Sequence, residues 1–279
     1  MNYRHIYHAG NFADVLKHYI LSLVMQKMHE KEAPFCAIDT HAGIGLYDLS
    51  TQEVGKTLEY QGGIQKIFDR PSVEASFEAY LKIVAGYNLG QTQLTYYPGS
   101  PCILKAFLRK QDRLRLSELH PEDYETLRQL FKHNSQVEVF HQNGYVSLKS
   151  LLPPPERRGV ILIDPPFEKR DEFNHLLKGI QEAYKRFATG IYLIWYPLKD
   201  KTSIQKFYAD IKALYIPKIL CVEFYTNEIE ASLKLSGCGL IIINPPWQID
   251  KVLTSTLQIL LSYLSCNERG KVNIFLIAN

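Results

Sequence analysis

The sequence has no C-x-x-C pair: its five cysteines, Cys36, Cys102, Cys221, Cys238 and Cys266, are odd in number and widely scattered. That pattern argues against a disulfide framework and against a zinc site, and no metal is expected in the chemistry. Long apolar runs are missing too. Nothing approaches the ~18 consecutive apolar residues of a spanning helix, and residues 1–18 hold no uncharged apolar stretch. A soluble, cytoplasmic protein with no membrane partner is the expectation. Nor does one sign of charge dominate. Lys and Arg total 32 against 29 Asp and Glu, a net charge of +3, so a disordered charged tail is excluded and any surface for a polyanion has to be local. Repeats and low-complexity tracts are absent, and the Pro153 to Pro155 stretch reads as a connector.

What is present is a chain of 279 residues, 46% apolar, long enough for one or two domains with a sizeable core. Short apolar runs end in Gly, Pro or Asp: Phe35 to Ile38, Leu114 to Leu116, Val137 to Phe140, Gly159 to Ile163 and Ile191 to Tyr196. They read as strands buried on both faces. Segments of helical period lie between or beside several of them, at 123–132, 173–187 and 204–215, and this alternation implies a parallel sheet with right-handed crossovers. Ile219 to Tyr225, Leu240 to Ile243 and Val272 to Ile277 extend the sheet, with some antiparallel pairing at one edge. At the front, Asn11 is an N-cap candidate with Asp14 three positions on, opening an amphipathic helix to about Lys27.

One spacing is anomalous. From Ile38 to Leu114 is about 75 residues, where a βαβ unit needs roughly 30. The crossover helix starts late, at Ser100-Pro101, with Ser as N-cap and Pro at the first helical position. Residues 46–98 are therefore expected to form an inserted, net acidic helical subdomain, with 71–87 as its clearest helix, inside a main domain made of 1–45 and 99–279.

Four places carry chemistry. Asp39-Thr40-His41-Ala42-Gly43-Ile44-Gly45 follows the first strand, where a Gly-rich turn lets backbone approach a nucleotide-like ligand; Asp48 stands where a dinucleotide fingerprint needs its third Gly, so a plain tight turn is equally open. Glu118 after the second strand could accept from both ribose hydroxyls, or be a solvated loop acid. Asn143-Gly144 after the third could read an adenine edge, or be a simple turn. The sharpest signal is Ile163-Asp164-Pro165-Pro166-Phe167 at the end of the fourth strand. Two prolines stiffen the backbone and remove two N–H donors. A planar amino group could then donate to the Asp164 carboxylate and the Pro165 carbonyl, with Phe167 stacking on its ring. Asn244-Pro245-Pro246-Trp247 has the same chemical shape but ends a later, edge-proximal strand, so a structural role with Trp247 packed is expected there. Local positive charge collects at Lys105, Arg109, Lys110, Arg113 and Arg115, and at Arg157, Arg158, Lys169 and Arg170, as RNA-facing candidates or as solvated faces.

Gly-rich turn, ribose acid and Asp-Pro-Pro-Phe in this order resemble the class I S-adenosylmethionine methyltransferases of the amino-nitrogen group. Tyr3-Arg4-His5, His8-Ala9-Gly10-Asn11, Ala13-Asp14-Val15-Leu16-Lys17-His18 and Asp39-Thr40-His41-Ala42-Gly43 narrow this to a resemblance to the RlmJ family, 23S ribosomal RNA adenine-N6 methyltransferases acting on adenine-2030. It implies a Rossmann-like α/β fold with a mostly parallel seven-stranded sheet, helices on both faces and the inserted subdomain. It also implies S-adenosyl-L-methionine as cofactor, S-adenosyl-L-homocysteine as product, and 23S rRNA as partner, taken as naked or pre-assembly RNA by a monomer. By resemblance, Lys17, His18, His41, Gly43, Ser100, Glu118, Asn143, Gly144 and Asp164 bind the cofactor, Asp164 is also the catalytic acceptor with Pro165 and Phe167, and Tyr3 and His5 complete the catalytic set at the site's mouth. Two positions depart from the family pattern: Asn143 replaces an Asp, and Phe167 replaces a Tyr, keeping the stack and losing a hydroxyl. Rival readings are a DNA adenine-N6 or glutamine-N5 methyltransferase using the same Pro-Pro geometry, or a catalytically silent RNA-binding module.

Overall fold

The computed structural model describes residues 4–70, 74–169, 171–227, 235, 237–265 and 269–278. The strands are β1 (Cys36–Asp39), β2 (Leu46–Asp48), β3 (Tyr96–Pro98), β4 (Arg113–Glu118), β5 (Val137–His141), β6 (Gly159–Ile163), β7 (Ile191–Pro197), β8 (Ile219–Tyr225), β9 (Gly237–Ile243) and β10 (Lys271–Ala278). The helices are α1 (Phe12–Met28), α2 (Gln52–Gly55), α3 (Gln65–Phe68), α4 (Glu78–Gly86), α5 (Ser100–Ala106), α6 (Pro121–Phe131), α7 (Gly144–Ser150), α8 (Glu172–Arg186), α9 (Lys201–Lys212) and α10 (Ile249–Leu264). None of them is long and apolar enough to cross a membrane, among the described residues.

Eight strands form the main sheet, in the order β10-β8-β9-β7-β6-β1-β4-β5. Five neighbours from β7 to β5 run parallel, and β9 and β10 run against them. The central strands β1 and β6 are buried at every position, which is why they read as unbroken apolar runs and not as alternation. The resemblance implies seven strands, and the sheet has eight, the apolar run at 272–277 being the strand β10 that adds antiparallel to β8 at the edge. Chain order reverses at β1, which lies between β4 and β6. In a sheet of this kind the crevice at such a switch point, beyond the carboxyl ends of the strands, is where a ligand fits.

Local signals at helix starts act as expected at one place and shift at another. Asn11 caps α1, its Oδ1 accepting from Ala13 N and Asp14 N at 3.0 and 2.9 Å. Asp14 does not complete a capping box; it accepts from Gly10 N at 3.0 Å. At α5 the cap is Gly99, and Ser100 is the first helical residue and buried. Nor is α1 amphipathic. Every residue from Ala13 to Met25 is buried, because α1 is sandwiched between the sheet, α5 and α10 and the inserted α4. The expected helix over 71–87 is shorter: a 3-10 turn Ala75–Phe77 leads into α4, and residues 71–73 lie outside the described set.

The segment 46–98 contributes more than helices. Its ends pair as the two-stranded antiparallel sheet β2-β3, and Phe77, Tyr80, Val84 and Tyr97 join the same apolar cluster as α1. Part of its contact with the N-terminal turn is backbone to backbone: Ile64 N donates to Gly10 O at 2.9 Å, and a Cβ at Gly63 would stand 2.1 Å from Gly10 O. A side chain cannot be placed there without moving the insert. Gly63→Ala is therefore expected to destabilise the fold by about 1–3 kcal/mol, whereas Gly55→Ala, with nothing within 4 Å of the new methyl, should be neutral or stabilise by up to ~1 kcal/mol. Paired thermal melts check this; equal melting points would mean the contact yields freely.

Candidate active site

The loops after β1, β4, β5 and β6 converge on a cavity of about 1330 Å3. A pocket for one small molecule is typically roughly 300–1,000 Å3, so this one has room for a cofactor and a base together. Every site residue expected from the sequence lines it, apart from Tyr3, which lies outside the described residues. Arg170 falls outside them as well.

A chain of charges runs through the wall. Lys17 Nζ donates to Asp164 Oδ2 at 2.5 Å and to Asp14 Oδ1 at 2.8 Å, while Asp14 Oδ2 accepts from His5 Nε2 at 2.9 Å. All three line the cavity, and with side chains 5%, 2% and 15% exposed for Lys17, Asp14 and Asp164 the last is the most open of them. Burial opposes the ammonium of Lys17, but Asp14 and Asp164 outweigh it and raise its pKa well above the ordinary value. Burial likewise pushes Asp14 up, and His5 and Lys17 overcome it to hold the carboxyl well below its usual range. Lys17 therefore stays protonated and Asp14 ionised.

Lys17 and His18 are neighbours on a helix and point apart. His18 Nδ1 pairs with Tyr97 Oη at 2.7 Å, with the rings stacked 5.6 Å apart, and Tyr97 meets Tyr80 Oη at 3.1 Å. Burial, then Lys17, keeps the imidazole neutral, its pKa well below the ordinary value. His18 Nε2 is buried without a hydrogen-bond partner among the described residues. The Gly turn is held by side chains around it. Gly43 has φ +60°, and a Cβ would stand 2.4 Å from the Tyr47 hydroxyl. Thr40 Oγ1 donates to Leu162 O at 3.0 Å and so accepts from His41 Nδ1 at 2.8 Å, while burial depresses the His41 pKa to about 4. Asp39, with no exposed surface, is pushed by burial up to about 6, the Ser100 hydroxyl and the His41 N–H pulling the other way.

Glu118 accepts from Gly43 N at 2.8 Å on Oε2 and from His120 N at 2.7 Å on Oε1, and burial raises its pKa. Each oxygen keeps a lone pair. Gly144 is required by close approach, since a Cβ would meet Thr40 O at 2.3 Å and the His41 ring at 2.6 Å. Asn143, the candidate reader of an adenine edge, lines the cavity and also caps α7, its Oδ1 accepting from Tyr145 N at 2.9 Å and keeping one lone pair. Phe167 sits at φ +50°, edge-on to Phe173 and to Trp195 at 5.0 and 5.9 Å.

Trp195 on β7, Tyr47, His8 and Glu59 line the cavity and went unassigned from sequence. Trp195 alone had a local signal, standing near the carboxyl end of the strand beside β6. Glu59 Oε2 accepts from His8 Nδ1 at 3.0 Å and Asn11 Nδ2 at 2.9 Å, and it raises the His8 pKa against burial.

Strand direction settles the look-alikes. β9 is interior, between β7 and β8, and not edge-proximal; being antiparallel, it ends at Ile243 beside Tyr192, the start of β7. Asn244 is thus at the pole opposite Asp164, where its Nδ2 donates to Ala188 O and Gly190 O, both at 2.8 Å. Trp247 does not pack; it is 80% exposed. Most of the basic clusters share that far pole. Arg113 and Arg158 stand at or before the starts of β4 and β6, roughly 16 Å of strand from the cavity. Arg109 grips Asp112 and the carbonyls of Lys31 and Ala33, and Arg158 the carbonyl of Ala33, closing the loop before β1. Besides the buried Lys17, the lysines lining the cavity among the described residues are Lys56, Lys169 and Lys199, all exposed.

A family model for ribosomal RNA large subunit methyltransferase D, RlmJ, matches residues 32–277. The chain is 44% identical to ribosomal RNA large subunit methyltransferase J of Escherichia coli over 264 residues, covering 95% of this chain and 94% of that one. It is 41% identical to the Haemophilus influenzae protein of the same name, over 93% and 92% of the two chains. A crystal structure of a Legionella pneumophila protein superposes with a TM-score of 0.89 at 38% identity, covering 96% of this chain and 98% of that one. Sequence and fold agree over nearly the whole length: the chain belongs to the RlmJ family of ribosomal RNA large subunit methyltransferases.

Proposed function

We propose that the protein transfers a methyl group from S-adenosyl-L-methionine to the N6 amino group of an adenine in 23S rRNA, at adenine-2030 by family resemblance. The observation that carries this reading is Asp164, which opens to the cavity beside two prolines and the Phe167–Trp195 pair. The residues present fit the cofactor. Gly43 lets backbone approach it, the spare lone pairs of Glu118 suit a ribose diol, and the unpartnered Nε2 of His18 offers one more polar contact. A buried polar atom left alone costs ~1–3 kcal/mol, so a ligand atom placed there relieves it. When bound, S-adenosyl-L-methionine supplies an electrophilic methyl group on sulfonium.

An adenine amino nitrogen is a poor nucleophile because its lone pair is delocalised into the ring. Asp164 has one oxygen committed to Lys17 and the other free, so it can accept one amino hydrogen while the Pro165 carbonyl accepts the second. Both draw the nitrogen toward a pyramidal geometry, and the carboxylate offsets the positive charge that grows there. Lys17 holds Asp164 in place and, being protonated throughout, takes no proton. Phe167 and Trp195, set edge to face, supply aromatic surface for the base, which has to leave its stack to enter, and this favours RNA not yet packed into a mature subunit. Lys56, Lys169 and Lys199 meet the backbone at the mouth.

Incubation with labelled cofactor and unmodified, deproteinised 23S RNA is expected to yield N6-methyladenosine by nucleoside mass spectrometry; label found only in another nucleoside or in protein sinks the reading. Asp164→Asn should lower the transfer rate by roughly 10²–10³ with cofactor affinity by calorimetry nearly unchanged. Asp39 gives a pH test. Its folded value of about 6 exceeds the ordinary 3.8, so the folded state binds more protons between these values and stability falls as pH rises through that window. Asp39→Asn keeps the acceptor for His41 N and removes the buried charge. The expected gain at pH 7.5 is on the order of 2 kcal/mol, several degrees of melting point, disappearing near pH 4; a gain of the same size at both pH values would show that ionisation of Asp39 is not its origin.

A further inference from the structure

We propose that Glu59, supplied by the inserted segment, is a positioning residue for Asp164, acting through the cap of α1. It rests on the function proposed above only in that methyl transfer is the rate it affects. Glu59 opens a 3-10 turn, Glu59–Gly62, and its Oε2 receives both Asn11 Nδ2 at 2.9 Å and His8 Nδ1 at 3.0 Å. The side chain is 37% exposed, so screened attraction adds little to stability. Its effect is geometric.

An asparagine amide can face either way, and here the two orientations are not equivalent. With Nδ2 held by Glu59, Oδ1 is the atom left to accept from Ala13 N and Asp14 N. Turned over, the amide would set its NH2 against two N–H donors and offer its oxygen to a carboxylate. Glu59 thus selects the orientation that caps the helix. The first turn of α1 then places Asp14, Asp14 holds Lys17 at 2.8 Å and His5 at 2.9 Å, and Lys17 reaches Asp164 at 2.5 Å. Each link is a hydrogen bond with both partners named, and the route crosses from the insert to the strand-end carboxylate through one helical turn. A second, independent tie keeps Glu59 in reach: Ile64 N on Gly10 O, five residues along the insert and one residue before Asn11.

The test compares Glu59→Ala and Glu59→Gln with Glu53→Gln, an exposed acid of the same insert outside the cavity. For Glu59→Ala, kcat for RNA methylation is expected to fall roughly tenfold or more, with KM for the cofactor and for RNA within about twofold and the thermal midpoint within a few degrees. Glu59→Gln keeps a carbonyl oxygen for Asn11 Nδ2 and should recover kcat to within about threefold, while Glu53→Gln behaves as wild type. Amide hydrogen exchange at Ala13 and Asp14 is expected to accelerate in Glu59→Ala alone. An unchanged kcat, a loss confined to KM for RNA, a Glu59→Gln as slow as Glu59→Ala, or unchanged exchange at the two amides each overturns the inference. Should the wild-type protein methylate no RNA at all, the proposed function fails, and the exchange measurement still decides whether Glu59 sets the cap.

Discussion

One buried cation shared by two carboxylates organises the active pole. Taking an ammonium out of water carries a penalty of several kcal/mol, and Lys17, 5% exposed, meets it with Asp14 from its own helix and Asp164 from the end of β6. The pairing fixes where α1 stops along the sheet, because Asp164 cannot move without leaving the ammonium half-compensated. That explains why a helix buried almost all round carries buried charge in its first turns, at Asp14 and Lys17, and why both line the cavity where the loops converge, whereas Lys27 in the last turn lies towards the surface. It also makes the network all-or-none: truncating one partner costs more than the pair was worth, since it leaves a buried charge alone.

Strand direction is the second constraint, and it separates residues that composition cannot. Asp-Pro-Pro-Phe and Asn-Pro-Pro-Trp are chemical near-twins, yet the first follows a strand running toward the cavity and the second follows one running away. The same rule divides the basic residues. Arg109, Arg113 and Arg158 stand where strands begin, and their guanidinium groups are engaged with carbonyls of the loops there. Residues at the finishing ends of parallel strands keep free lone pairs or open faces.

This division also explains what was legible in the sequence. Strands buried on both faces, such as β1 and β6, show as unbroken apolar runs, and the half-exposed β5 and β10 at the sheet edges still showed as short apolar runs; the Asn11 cap and the turn around Gly43 were legible because they depend on residues next to one another. Three kinds of feature were not. Pairings between distant residues have no local signature: His18 with Tyr97 is separated by 79 residues, and His8 with Glu59 by 51. A second duty of a single atom is also invisible, as at Asn143, which lines the cavity and whose oxygen also serves a helix cap. The burial of α1 on every side depends on an insert that follows it by some twenty residues, so its own period could not reveal it.

The active pole holds features that a fold selected for stability alone would lack. Phe167 adopts φ +50°, a conformation costing ~1–3 kcal/mol for a side chain of this kind. Asp39 is buried with its carboxyl pushed up to about 6, and His18 Nε2 has no partner among the described residues. Asn244 at the far pole also has positive φ, but asparagine tolerates it and both amide hydrogens are engaged there. Positive φ is not confined to that pole, since Arg157, Tyr215, Lys218 and Gln248 adopt it as well; the buried, unpartnered His18 Nε2 is what belongs to the cavity wall. Whatever binds there and satisfies His18 relieves a cost already present in the free protein, so occupancy of the cavity and stability of the fold are linked.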